Sequence, residues 1–137
     1  MMCIIFAFLF GFMGISQTTD QKVKEFLGED RYNETVQSNP ALITFLQTKV
    51  EDGFRISEVN EVKKSSYKKI NSVYFKKQEI SIEDFLISLN DESFNILNYS
   101  FPDHNSNETT HFLLGDSSIL LSVYSNSVIN NKVATER

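Results

Sequence analysis

The chain has 137 residues, a net charge of −5, twelve Phe, five Tyr and a single cysteine, Cys3. A chain of this length folds as one domain, and its acidic balance argues against nucleic acid as a partner. One cysteine cannot form an internal disulfide, so stability must come from an apolar, aromatic-rich core.

Residues 1–15 (MMCIIFAFLFGFMGI) carry no charge, and they stop short of the roughly 20 residues that a bilayer-spanning helix needs. Gly14 and Ser16 place small residues where a signal peptidase requires them, with cleavage before Gln17. Residues 1–16 therefore read as an export signal and residues 17–137 as a single soluble domain. The basic residue usual before such an apolar run is missing from Met1-Met2-Cys3. A disulfide-free exported domain suits a bacterial periplasm or surface, or release to the medium. After cleavage it is not an integral membrane protein.

Three helices follow. Asp20 to Leu27 places Val23, Phe26 and Leu27 on one face, and Gly28 stops it. Glu29 to Gln37 forms the second. Asn39-Pro40 opens the third, because Asn caps and Pro suits the first turn. Leu42, Phe45, Leu46 and Val50 then form one apolar stripe, ended by Gly53. Beyond Gly53 the period changes to two, with Phe54 and Ile56 alternating with polar residues. Tyr67 to Phe75 reads as a further strand, and its lysines suit a sheet edge. Ser81 caps a helix whose first turn holds Glu83 and Asp84, with Phe85, Leu86 and Leu89 on its apolar face. Phe94 to Phe101 reads as a strand, and residues 102–109 (PDHNSNET) as a polar loop. His111 to Leu114 and Ile119 to Tyr124 then make a hairpin around Gly115-Asp116. The tail from Asn126 adds a short helix. The predicted class is α+β: helices first, then an antiparallel sheet of about four or five strands with one inserted helix.

The runs FLGEDRYNE, Asn39-Pro40, ISIEDF and HFLLGDSSILLSVYS together resemble small exported proteins of unknown function from Bacteroidota. That resemblance implies an envelope location and assigns no catalytic residue.

Charge is segregated along the chain. Lys63, Lys64, Lys68, Lys69, Lys76 and Lys77 fall in an acid-free segment, and the stretch from Gln78 to Asn131 holds acids and no Lys or Arg. The plain expectation is that the two segments are neighbours and neutralise each other in part. A functional reading makes Lys68, Lys69 and Tyr74 a binding surface for an anionic glycan or an envelope protein. No Gly-rich phosphate loop, Gly-X-Ser-X-Gly elbow or His-Glu-X-X-His occurs. The remaining metal-ligand candidates are His104, Glu108 and His111, with Asp103 and Asp116 near them in sequence. The flexible segment between the two histidines fixes no geometry, and a solvated loop explains it as well. No cofactor and no catalytic residue is predicted. The expected function is a non-catalytic binding or structural module. The alternatives are a metal-dependent hydrolase built on residues 103–116 and an inhibitor acting through residues 102–109.

Export makes a direct prediction. The native protein recovered from periplasm, surface or medium should have the mass of Gln17–Arg137 by intact mass spectrometry. A full-length cytoplasmic species would mean that residues 1–15 belong to the fold.

Overall fold

The computed structural model describes residues 18–136, so the apolar run and its cleavage point lie outside the described residues. The class is α+β, with five α-helices and seven strands in two sheets among those residues.

Helix α1 (Thr19–Leu27) starts a residue earlier than expected because Thr18 and Gln21 close a capping box. The Thr18 hydroxyl accepts the Gln21 N–H at 3.1 Å, and the Gln21 side chain accepts the Thr18 N–H at 2.9 Å. Gly28, at φ 88°, ends α1 and turns the chain into α2 (Glu29–Ser38). Asn39 caps α3 (Pro40–Asp52), accepting the Leu42 N–H at 3.3 Å. Val23, Ile43 and Leu46 bury one face of these helices together with Leu97.

The first sheet has the order β1-β7-β6-β2, from β1 (Phe54–Glu58), β2 (Lys68–Ile70), β6 (Thr110–Leu114) and β7 (Ile119–Val123). Its central hairpin pairs Phe112 with Leu121 and His111 with Ser122. The second sheet, of order β4-β3-β5, joins β3 (Ser72–Phe75), β4 (Gln78–Ser81) and the short β5 (Tyr99–Ser100). Helix α4 (Ile82–Leu89) follows β4, with the Ser81 hydroxyl accepting the Asp84 N–H at 3.2 Å. Helix α5 (Asn126–Glu136) closes the described chain and packs on α3, where Lys132 meets Asp52 at 3.3 Å.

Two segments differ from the sequence expectation. The run Tyr67–Phe75 is not one strand. Lys68–Ile70 pairs parallel with β6, and after Asn71 the chain crosses to the other sheet, where β3 pairs antiparallel with β4 and β5. Similarly, Phe94–Phe101 contains a 3-10 turn (Ile96–Asn98) and only two strand residues. The cause is Asn95, whose Oδ1 accepts the Leu97 N–H at 3.1 Å while its Nδ2 donates to the Lys22 carbonyl of α1 at 2.9 Å. A side chain that captures nearby backbone in this way competes with strand pairing.

The main core lies between the two sheets. Phe85 is fully buried, its ring centroid 6.0 Å from Phe94, 5.2 Å from Tyr99 and 5.8 Å from Phe101. Phe101 in turn stacks on Phe112 of β6 at 5.6 Å.

Asn95 is 1% exposed and joins the helical layer to the second sheet. Truncating it leaves the buried Leu97 N–H without its partner and removes the bond to the Lys22 carbonyl. Asn95→Ala should therefore lower unfolding stability by about 2 kcal/mol, read from the denaturant midpoint. An unchanged midpoint would show that the bridge is dispensable.

Candidate functional site

The lysine-rich and acid-rich segments are neighbours. Lys68 Nζ lies 2.9 Å from Asp103 Oδ2, and Lys69 Nζ lies 2.5 Å from Asp116 Oδ1. Both pairs sit in solvent, where such contacts contribute roughly 0–1 kcal/mol. The Lys69 hydrogen bond and charge hold the Asp116 carboxyl below its ordinary range. Tyr74 belongs to the other sheet, opposite Glu79 and Ser100. The surface suggested for Lys68, Lys69 and Tyr74 is thus divided between two sheets, and both lysines already have acidic partners.

The two histidines are also separated. His104 Nδ1 is 3.1 Å from Thr110 Oγ1, and its ring meets Phe112 edge-on at 6.2 Å. His111 Nδ1 is 2.7 Å from Ser122 Oγ, with its ring against Tyr67. Successive strand residues point to opposite faces. Thr110 and Phe112 therefore hold His104 on one side of β6 while His111 projects from the other, and Glu108 is exposed. Among the described residues no group of three or more His, Cys, Asp or Glu side chains is arranged to hold a metal ion. The 102–109 loop is strapped to the start of α5, because Ser106 O accepts the Asn126 N–H and Thr109 Oγ1 accepts the Ser125 N–H.

A better-formed site surrounds the turn between β3 and β4, which sequence reasoning passed over. Phe75 pairs with Gln78, so Lys76 and Lys77 alone make the loop, with φ of 49° and 71°. Two consecutive positive φ values define a type I′ hairpin turn, which favours Asn-Gly. A side chain in that region costs about 1–2 kcal/mol per residue. The Lys76 N–H donates to the Asn98 carbonyl at 2.9 Å, which ties the turn to the 3-10 segment. Among the described residues neither lysine forms an ion pair. Lys76 Nζ lies 5.3 Å from the centre of the Phe75 ring.

Beneath this turn lie two adjoining hollows of about 230 and 340 Å³. They share Glu25, Lys76, Asn98 and Tyr99. Half-buried aromatic rings line them: Tyr99 is 5.1 Å from both Phe75 and Phe94, and it stacks on Phe94. Asp91 stands at the edge, its carboxylate accepting both the Ser93 N–H and hydroxyl at 2.8 Å. Those two hydrogen bonds depress its pKa. On the opposite lip Phe26 of α1 is 44% exposed. The available sequence signal was the Lys-Lys pair set between Tyr74-Phe75 and Ile80. Without Gly, Asn or Asp it did not read as a turn.

No helix among the described residues is long and apolar enough to cross a membrane. The chain matches no protein-family model, no curated protein and no solved structure.

Burial, and secondarily the charge of Lys49, lowers the pKa of His104. Its folded pKa lies below the unfolded value of about 6.5. The folded state therefore binds the proton less readily, and stability present above that pH is lost as pH falls. Between pH 7.5 and 5.0 the parent protein should lose more stability than His104→Gln, measured by urea denaturation at each pH. Parallel losses would remove His104 from the acid response.

Proposed function

We propose that residues 17–137 form an exported, non-catalytic binding module that takes an anionic glycan in the aromatic cleft beneath the Lys76–Lys77 turn. The observation that carries this reading is the turn itself. Two lysines occupy a backbone conformation that disfavours them, and they hold like charges side by side at the lip of a cleft. Within the fold Lys76 gains only an exposed cation–π contact with Phe75, whereas Asn-Gly would relieve the backbone strain. A negatively charged ligand makes use of both charges.

The cleft supplies what a sugar needs. Phe75, Phe94 and Tyr99 offer flat apolar surface for the C–H face of a ring, and Asn98, Glu25 and Asp91 can meet hydroxyls. Asp91, doubly hydrogen-bonded and with a lowered pKa, is suited to remain an acceptor rather than to donate a proton. The uncharged N-terminal run and the resemblance to exported Bacteroidota proteins support a location where such polymers are met.

The double variant Lys76→Asn/Lys77→Gly tests the reading, because the two effects oppose one another. It should raise unfolding stability by about 1–2 kcal/mol while abolishing retention on an immobilised uronic-acid polymer, with a neutral glucan as control. Greater stability with undiminished retention would refute the assignment of the cleft.

A further inference from the structure

A separate, smaller cavity lies between α3, β5, β7 and the 102–109 loop. Its volume is about 160 Å³. Lys49 and His104 line it together with the Ser100 side of β5, and Ile96, Phe101 and Val123 complete its wall. No acid is among its lining residues. We infer that this cavity binds a small carboxylate with a short apolar tail, its head between Lys49 and His104 and its tail against Ile96, Phe101 and Val123.

Three observations lead there. Lys49 is half-buried near the C-terminal end of α3, and among the described residues it forms no ion pair. A buried ammonium is ordinarily matched by an acid or displaced to the surface. Here it shares a cavity with a second basic group. Burial lowers the pKa of the Lys49 amine, and burial together with the Lys49 charge lowers that of His104. An anion between them would relieve both effects.

The second observation is that the backbone after α3 packs closely on the base of Lys49, so position 53 admits only glycine. Gly53 closes α3 directly on it, and a Cβ at position 53 would fall 2.4 Å from the Lys49 carbonyl oxygen and 2.9 Å from Lys49 Cγ. The third is the orientation of His104. Its Nδ1 lies 3.1 Å from Thr110 Oγ1 and its ring meets Phe112 edge-on at 6.2 Å, so the ring is positioned by β6 rather than by solvent. Beside Tyr99 and Ser100, the residues Ile96, Phe101 and Val123 give the wall an apolar side, which favours a ligand with a hydrocarbon tail over a fully hydrated oxyanion such as phosphate.

The test uses butyrate as probe on the whole exported chain. Backbone amide NMR signals of Ser100, Phe101 and His104 should shift saturably with butyrate, and the melting temperature should rise with its concentration. Lys49→Met should weaken the apparent affinity by about tenfold or more, as expected for loss of a charge-assisted hydrogen bond. Lys49→Arg should retain binding, and this guards against a folding defect in the Met variant. Inorganic phosphate should give no saturable shift. Shifts unaffected by Lys49→Met, no shift with butyrate, or equal binding of phosphate and butyrate would each overturn the inference. Retention on the uronic-acid polymer should be unchanged in Lys49→Met, so the two sites stand or fall separately.

Discussion

With no disulfide to restrain it, residues 18–136 depend on how completely Phe85 is enclosed. Its ring meets Phe94, Tyr99 and Phe101, and Phe101 passes the contact on to Phe112 in the centre of the other sheet. One helix side chain thus couples α4, both sheets and the irregular segment between them. Aromatic rings suit this task because each buries a large area, and edge-to-face contacts restrict their mutual orientation. The two sheets are small, one with a strand of only two residues. Their shared aromatic layer makes them a single core.

The position of the cleft follows from this arrangement. Tyr99 is needed in the core by Phe85, and Asn95 is needed by α1, so the intervening residues form a tight 3-10 turn instead of a longer strand. That shortening leaves space between α1 and the β3–β4 turn, where Phe75, Phe94 and Tyr99 remain partly uncovered. The Lys76 N–H, bonded to the Asn98 carbonyl, sets the turn over that space. The same residues that seal the core on one side therefore line the hollow on the other.

Electrostatics separates the lysines into three groups with different physical meaning. Lys68 and Lys69 face acids across a sheet edge in water, where attraction is screened and adds little. Lys76 and Lys77 form no ion pair among the described residues, although Glu25 lines the same cleft, and their conformation strains the backbone. Lys49 is different again, a half-buried charge facing a histidine. Only the last two settings give the fold a reason to hold a positive charge that its own acids do not satisfy.

Much of the secondary structure was legible in the sequence, because caps and periodicity act locally. Asn39-Pro40 and Ser81 begin helices through hydrogen bonds to amides three residues away, and two apolar runs flanking Gly115-Asp116 specify a hairpin on their own. The apolar, uncharged start of the chain likewise carries its expectation in composition alone. The site residues were less legible. His104 and His111 are near enough in the sequence to be weighed as one metal site, yet the pleat of β6 places them on opposite faces. Lys68, Lys69 and Tyr74 look like one basic-aromatic strand, yet the chain leaves one sheet for the other at Asn71. The parallel pairing of β2 with β6, the 3-10 turn around Asn95, the left-handed Lys76–Lys77 pair and the meeting of Lys49 with His104 were decided by tertiary structure. Each depends on a partner distant in sequence, such as Asn95 on Lys22, β2 on β6 and His104 on Lys49. Local periodicity carries no information about those partners until the chain has packed.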